Sequence, residues 1–304
     1  MAVLSIFAPA KLNLYLAVTA RRPDGFHDLV SIVTPLAFGD TLQTDTADVN
    51  EKPGTFSLTC DDPALPCDET NLVLKAARAF AATTGWPGRA SFHLEKRIPI
   101  GAGLGGGSSN AAAALKALNH LAGPRFALGA EALSQLAAQV GSDCPLFLCD
   151  GAIVMRGRGD RVEPFPAKAA ARLQGRRVLV FKPAFGIATP WAYAQIAAGA
   201  PASYLPLDLA ESRIADWSSN FTTPLEDLLF NNLEPAAFAK FVALPVLRKQ
   251  MRSTFGLKPR MSGSGSACFA LLNDDSDVTA ITAAIRAAWG DSAFVVTTRL
   301  ASGA

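Results

Sequence analysis

The stretch that decides the fold spans residues 99 to 110 and reads Pro99-Ile100-Gly101-Ala102-Gly103-Leu104-Gly105-Gly106-Gly107-Ser108-Ser109-Asn110. Five of the seven positions from 101 to 107 are glycine, so backbone N–H groups can converge on an anion without hindrance from Cβ atoms. Ser108 and Ser109 are expected to open an alanine-rich helix that ends near Gly123-Pro124. A helix N-terminus adds unpaired donors and a positive dipole end. The stretch therefore predicts a phosphate-binding loop between a strand and a helix.

Other glycine-rich loops fit this stretch less well. Gly101, Gly103 and Gly106 have the GxGxxG spacing of dinucleotide sites, but residues 121–128 contain no acidic side chain to bind a ribose. A Walker A loop needs Gly-Lys-Ser/Thr, and Gly107 stands where the lysine should be. A protein-kinase loop needs downstream His-Arg-Asp and Asp-Phe-Gly elements, and the sequence contains neither.

Strand-like and helix-like segments surround the loop without a strict βαβ rhythm, which predicts an α+β fold. Asn71 is expected to cap a helix over 72–83 that ends at Gly85. A Pro- and Ala-rich stretch at 163–175 predicts a junction between two domains, residues 1–162 and residues 163–304. Periodicity predicts strands at 5–9, 12–18, 29–38, 55–60, 91–96, 177–181, 267–272 and 293–298, and further helices at 130–140, 191–197, 235–255 and 276–289.

Composition argues against several classes of protein. The 304 residues include 28 Lys and Arg against 26 Asp and Glu, so the charge balance is not that of a typical nucleic-acid-binding protein. The five cysteines form no CxxC pair, and three scattered histidines do not complete a zinc site. No apolar window is long enough to span a membrane, and Lys11 interrupts the N-terminal apolar run. We expect a cytoplasmic protein that binds neither nucleic acid nor membrane.

Four segments resemble motifs of the galactokinase, homoserine kinase, mevalonate kinase and phosphomevalonate kinase (GHMP) superfamily. The first is Ala8-Pro9-Ala10-Lys11-Leu12-Asn13-Leu14, the second is the glycine loop, and the third is Arg260-Met261-Ser262-Gly263-Ser264-Gly265-Ser266-Ala267. Gly141-Ser142-Asp143-Cys144-Pro145-Leu146-Phe147 is similar to the family's Gly-Ala-Asp-Val-Pro-Phe-Phe and departs from it at three positions. The resemblance implies a two-domain α+β kinase fold with the active site in the cleft between the domains.

The resemblance also implies roles in transferring a phosphoryl group from ATP. Lys11 would stabilise charge on the transferring oxygens, and Asp143 would orient or deprotonate the acceptor hydroxyl. Asn71 and Lys96 match positions that line the purine pocket. Mg²⁺ is the expected counter-ion of the triphosphate, with Ser109 as a candidate ligand. The implied ATP-binding residues are Asn71, Lys96, Pro99, Ile100, Gly101, Ala102, Gly103, Leu104, Gly105, Gly106, Gly107, Ser108 and Ser109.

Asp24-Gly25-Phe26-His27 resembles an element with which some members of the superfamily bind cytosine. Phe26 can stack on the base and His27 can hydrogen-bond its edge, although the family usually has tyrosine in place of Phe26. Thr189 and Tyr193 resemble residues that contact a substrate phosphate and stack on the base. The implied acceptor is a small molecule, a hydroxyl of a cytidine-diphosphate-linked polyol. The implied substrate-binding residues are Asn13, Phe26, His27, Thr189, Tyr193, Gly263, Ser264 and Gly265.

Three alternatives stay open from the sequence. A sister kinase for homoserine, mevalonate or phosphomevalonate would share the first and third motifs in outline. A non-catalytic nucleotide sensor would keep the loop but would not need Lys11 and Asp143. An oxidoreductase would use the GxGxxG spacing. The segment Asn231-Asn232-Leu233-Glu234 resembles another element of the superfamily, to which the sequence assigns no chemistry.

Overall fold

The computed structural model describes residues 3–46 and 54–301. Strands and helices alternate irregularly through these ranges, which confirms the predicted α+β class. By contacts the chain divides into two compact units. Unit 1 comprises Met1–Ala10, Phe38–Ile100 and Gly105–Asp150, and unit 2 comprises Lys11–Ala37, Gly101–Leu104 and Gly151–Ala304. The predicted domain division at residues 162 and 163 stays a prediction, because grouping by contact does not define independently folding domains.

Two long strands, β1 (Leu4–Arg21) and β2 (His27–Asp45), contribute residues to both units. β1 is one strand where the sequence predicts two, because Pro9 does not interrupt it. From Lys11 to Val18 both faces of β1 are buried. Lys11 and the rest of the first motif after it therefore lie on a buried part of the strand.

In unit 1, the end of β2 pairs antiparallel with β4 (Ala90–Glu95). β4 in turn pairs parallel with β3 (Phe56–Cys60). Three helices accompany these strands: α1 (Leu72–Thr84), α2 (Gly106–Leu121) and α3 (Ala130–Val140). Their shared core contains large apolar side chains from strands and helices together with the small alanines of α2. Because alanines occupy little volume, α2 can pack closely on its neighbours.

Residues at the ends of the unit 1 helices explain where those helices begin and stop. The Asn71 side chain accepts a hydrogen bond from Val73 N at 2.9 Å, and Gly85 ends α1 in the left-handed conformation, as predicted. The predicted start of α2 at Ser108 was wrong, because α2 begins at Gly106 with left-handed Gly105 as its N-cap. Ser108 and Ser109 therefore lie within the first helical turns.

Unit 2 contains a four-stranded antiparallel sheet in the order β11–β7–β10–β9. These strands are β7 (Arg177–Lys182), β9 (Arg260–Met261), β10 (Cys268–Leu271) and β11 (Phe294–Arg299). Three short strands pair elsewhere in the unit: β5 (Ile153–Arg156) with β2 and with β6 (Arg161–Pro164), and β8 (Phe230–Asn231) with β1. The third motif forms the turn between β9 and β10, so both of its ends are fixed by sheet pairing.

A short 3-10 helix, Pro145–Leu148, follows α3 in unit 1, and the described part of unit 2 has seven α-helices. They are α4 (Ala167–Ala171), α5 (Thr189–Ala198), α6 (Leu207–Ser219), α7 (Leu225–Leu228), α8 (Glu234–Lys240), α9 (Ala243–Phe255) and α10 (Val278–Trp289). The single helix predicted over 235–255 was wrong, because Phe241 leaves the helical conformation and separates α8 from α9. The stretch 163–175, predicted as a soft junction, contains α4, and α6 was missed. No helix within 3–46 or 54–301 has the length and apolar character needed to cross a membrane.

Candidate active site

The tip of the glycine loop, Gly101–Leu104, is hydrogen-bonded to the first and third motifs within unit 2. Ser262 Oγ donates to Gly103 O at 3.2 Å, and Ala267 N donates to Ala102 O at 3.0 Å. Lys11 N donates to Leu104 O at 2.9 Å. Three motifs that are far apart in sequence therefore share one backbone framework.

Gly103 shows why this framework requires glycine. Its φ is 77°, a left-handed conformation that side chains disfavour. A Cβ atom at this position would lie 2.5 Å from Ser262 O and 3.0 Å from Gly265 O. The loop and the third motif can therefore approach each other only because residue 103 has no side chain.

The Lys11 ammonium group lies in a buried position against the third motif. The residue is only 5% exposed, and its Nζ donates to Asn13 Oδ1 at 2.5 Å. Asn13 Nδ2 in turn donates to Ser31 Oγ at 2.9 Å. A Cβ atom built on Gly263 would lie 3.4 Å from Lys11 Nζ, so this turn passes directly beside the ammonium. A cation in such a low-dielectric position interacts more strongly with developing negative charge than one in water.

Two further candidates meet at the start of α5. The Thr189 and Ser264 hydroxyl oxygens are 2.9 Å apart, so one donates to the other. Thr189 is the first residue of α5, and Ser264 lies in the third motif with only 8% of its surface exposed. The structure therefore brings Thr189, Ser264 and the Gly263–Gly265 turn together, and their substrate-binding role stays a prediction.

The aromatic residues of the implied base site lie in unit 2 as well. The His27 ring centroid is 5.2 Å from that of Tyr193, which lies on α5, and 6.0 Å from that of Tyr204. His27 is 8% exposed, and its Nε2 has no hydrogen-bond partner within the part of the chain described. Burial, followed by the Arg21 charge, lowers the pKa of His27 below its ordinary value, so the imidazole is neutral near pH 7.

Phe26 differs from its neighbour because most of its ring faces solvent. Its exposed fraction is 54%, and the Arg158 guanidinium lies 5.5 Å from the ring centroid. An exposed phenyl ring of this kind offers a face for a planar ligand. The proximity of Arg158 to this ring was not predicted from the sequence.

The remaining loop residues belong to unit 1. Ser109 is 1% exposed and its Oγ is buried without a hydrogen-bond partner among the residues described. Such an unsatisfied hydroxyl near the start of α2 fits a phosphate oxygen or a metal ion as its missing partner. Among residues 3–46 and 54–301, no three His, Cys, Asp or Glu side chains form a metal-ligand cluster.

Asp40, which sequence analysis missed, holds the residues that directly precede the glycine loop. Its carboxylate is fully buried and accepts hydrogen bonds from Lys96 Nζ at 2.6 Å and Asn110 Nδ2 at 2.9 Å. It also accepts from the backbone N–H groups of Arg97 and Ile98 at 2.7 and 2.8 Å. The available signal was an acidic residue within an apolar strand, where Asp is disfavoured.

The other unit 1 candidates have structural partners of their own. The Asn71 amide caps α1 and donates to Pro66 O at 2.7 Å, and Lys96 is paired with Asp40. Asp143 is partly exposed in the turn after Gly141. Burial is the main reason that the pKa of the Cys144 thiol is raised to about 11. A hydrogen bond with Ser108 lowers this pKa, and the charge of Asp143 raises it. The catalytic and nucleotide-binding roles of these residues stay predictions.

Comparison with known proteins places the chain in a family. The model for the GHMP kinases N terminal domain matches residues 71–151, and the model for GHMP kinases C terminal matches residues 219–291. A relative from Salinibacter ruber, named 4-diphosphocytidyl-2-C-methyl-D-erythritol kinase, is 38% identical over 284 residues, covering 92% of each chain. The chain belongs to the 4-diphosphocytidyl-2-C-methyl-D-erythritol kinase family.

Further members of this family match over similar lengths. A relative of the same name from a Synechococcus species is 39% identical and covers 90% of this chain and 88% of its own. A solved 4-(cytidine 5'-diphospho)-2C-methyl-D-erythritol kinase has a TM-score of 0.73 at 33% identity, covering 97% of this chain and 99% of the other.

Membership in this kinase family confirms the predicted GHMP fold and small-molecule kinase activity. A family member of this class uses ATP as its phosphoryl donor. The kinase prediction is thereby preferred to the alternatives of an oxidoreductase and a non-catalytic nucleotide sensor.

Proposed function

We propose that this kinase transfers the γ-phosphoryl group of ATP to the 2-hydroxyl of 4-diphosphocytidyl-2-C-methyl-D-erythritol. This step belongs to the methylerythritol phosphate route to isoprenoid precursors, and we propose that it occurs in the cytoplasm. The observation that carries the proposal is the presence, in one unit, of the Lys11 framework and the His27–Tyr193 aromatic pair. A phosphoryl-transfer group and a base-recognition group are both needed for such an acceptor.

The chemistry follows from the roles that these residues support. The acceptor oxygen forms a bond to the γ-phosphorus while the bond to the β,γ-bridging oxygen breaks, and ADP leaves. Asp143 orients the acceptor hydroxyl or takes its proton. The Lys11 ammonium stabilises the negative charge that spreads over the transferring oxygens. Mg²⁺ would neutralise charge on the triphosphate, and the unsatisfied Ser109 hydroxyl fits a role in holding it or a phosphate oxygen.

Recognition of the cytosine would position the acceptor without taking part in the bond changes. A neutral His27 can offer both a donor and an acceptor to the edge of a base. Phe26 offers an exposed face for stacking, and the adjacent Arg158 charge suits a ligand that carries a diphosphate. Binding energy from this remote part of the substrate would hold the hydroxyl in line for transfer.

The substrate assignment is tested by ATP consumption with Mg²⁺ and three acceptors in parallel. We expect turnover with 4-diphosphocytidyl-2-C-methyl-D-erythritol and none with mevalonate or homoserine. Turnover with mevalonate or homoserine instead would keep the kinase but overturn the proposed acceptor. Absence of turnover with all three, despite ATP binding, would overturn the proposed reaction.

Phe26→Ala is expected to raise KM for the cytidyl acceptor and leave KM for ATP unchanged. Loss of one base–aromatic stack is worth about 1–3 kcal/mol, which corresponds to about 5- to 150-fold in affinity. Steady-state kinetics with each substrate varied in turn measures the effect.

Phe221→Ala is a matched control for this substitution. Phe221 is 55% exposed, and the Arg172 guanidinium lies 5.6 Å from its ring centroid, as Arg158 does at Phe26. This variant should have normal constants for both substrates. Equal weakening of ATP and acceptor binding by Phe26→Ala would contradict the stacking role.

A further inference from the structure

The side chain of Asn231, at the end of β8, is hydrogen-bonded to backbone groups, two of which belong to the third motif. Its Nδ2 donates to Met261 O and to Gly263 O, both at 2.8 Å, and its Oδ1 accepts from Leu233 N at 2.9 Å. The residue is 4% exposed. Because the amide group is buried and satisfied on both sides, it holds the turn in one geometry.

Glu234 holds the same turn from the other side of Met261. Its Oε1 accepts from Met261 N at 2.8 Å, and its Oε2 pairs with Arg248 and Arg260, each at 3.1 Å. Glu234 is also 4% exposed. Both the N–H and the C=O of Met261 are therefore fixed by side chains from one four-residue segment.

The turn that follows Met261 is the one that passes beside Lys11. Two backbone hydrogen bonds stabilise this turn. Gly265 N donates to Ser262 O at 3.0 Å, and Ser262 N donates to Ala267 O at 2.9 Å. Asn231 also pairs in register with Leu16 on β1, the strand that carries Lys11. Asn231 therefore connects β1, the strand that carries Lys11, to the backbone of the third motif.

We propose that Asn231 and Glu234 are positioning residues that hold the third glycine turn against Lys11, an inference that rests on the proposed function for its kinetic consequence. Neither side chain needs to touch a substrate. Their hydrogen bonds set where Gly263 and Ser264 lie relative to the ammonium, and therefore where the acceptor can bind.

The test uses Asn231→Ala and Asn231→Asp in the full chain. Both remove the two N–H donors, and aspartate keeps nearly the same shape at neutral pH. We expect kcat/KM for the acceptor to fall about 10- to 100-fold in each, since small displacements of reacting groups have effects of this size. The Kd of ATP should stay within about threefold. Hydrogen–deuterium exchange of the Ser262–Gly265 amides should accelerate.

Asn232→Ala is the matched control for lost hydrogen bonds. Asn232 Nδ2 donates to Val18 O at 2.9 Å and Ser203 O at 3.0 Å, and its Oδ1 accepts from Val18 N at 2.8 Å. It has the same number of backbone bonds, but none of them reaches the turn. We expect a comparable fall in thermal midpoint, with exchange at Ser262–Gly265 and kcat as in the wild type.

The outcomes separate this inference from the proposed substrate. Unchanged turn exchange in Asn231→Ala, or unchanged kcat/KM per folded enzyme, would overturn the positioning role. A normal kcat/KM in Asn231→Asp alone would also overturn it, because shape and not the donors would then suffice. If the wild type phosphorylates a different acceptor, the proposed substrate is wrong, and exchange together with kinetics on that acceptor still decides the role of Asn231.

Discussion

Lys11→Met is expected to lower kcat by about 10²- to 10³-fold, the usual effect of removing one preorganised charge-stabilising group. Methionine keeps most of the length and packing of the side chain but has no ammonium group. Lys11 is 5% exposed and already placed beside the Gly263 turn, so its charge acts without reorganisation of solvent. Single-turnover phosphorylation at saturating ATP and acceptor measures the change directly.

Lys182→Met provides the control for loss of a buried ammonium group. Lys182 is 7% exposed, lies in the same unit and donates to Pro183 O at 3.0 Å, and burial lowers its pKa. We expect its kcat to stay within about threefold of the wild type, because its ammonium group donates to Pro183 O, which lies outside the four motifs. A Lys11→Met enzyme that keeps more than about a tenth of wild-type kcat would contradict charge stabilisation by Lys11.

Asp40→Ala is expected to reduce the free energy of unfolding by about 3–5 kcal/mol, because it leaves a buried cation without its partner. The Lys96 side chain is 5% exposed and loses its ion pair at 2.6 Å. The Asn110 amide and two backbone N–H groups lose their acceptor at the same time. Urea-induced unfolding followed by circular dichroism gives the difference.

The double variant Asp40→Ala with Lys96→Met separates the unpaired charge from the lost hydrogen bonds. Removing both members of a buried ion pair is less unfavourable than removing one. We therefore expect the double variant to unfold at a higher urea concentration than Asp40→Ala alone. If the single variant loses less than about 1 kcal/mol, Asp40 is not the organising group of the loop entry.

Elements with short-range signals were predicted well from the sequence. The Asn71 cap and the left-handed Gly85 define α1, because both act on backbone within a few residues. The start of α2 was placed two residues late, since Gly105 caps it through its backbone conformation and not through a side chain. The break between α8 and α9 did have a signal that was missed, because Pro245 has no N–H to donate to Phe241 O and suits the first turn of a new helix.

The site shows the same division between local and long-range signals. Composition and spacing predicted the glycine loop, and the resemblance to known kinases identified the first and third motifs. They did not predict Asp40, which bonds residues 56 to 70 positions away, or Ser262, whose hydroxyl reaches Gly103 across 159 positions. Asn231 likewise carried no chemical signal until its two bonds to the third motif were visible.

The kinase class was predicted from the resemblance of four segments to known motifs, and local sequence alone accounts for the glycine loop and the capped helix α1. These depend on glycine conformations, helix-end donors and side-chain periodicity, all of which act over a few neighbouring residues. Only the folded chain shows that Lys11 is buried beside Gly263 and that Asp40 accepts four hydrogen bonds. The same is true of the hydrogen bonds that join Asn231 and Glu234 to the third motif. Hydrogen bonds and burial depend on distance in space, and residues far apart in sequence become neighbours only when the chain folds.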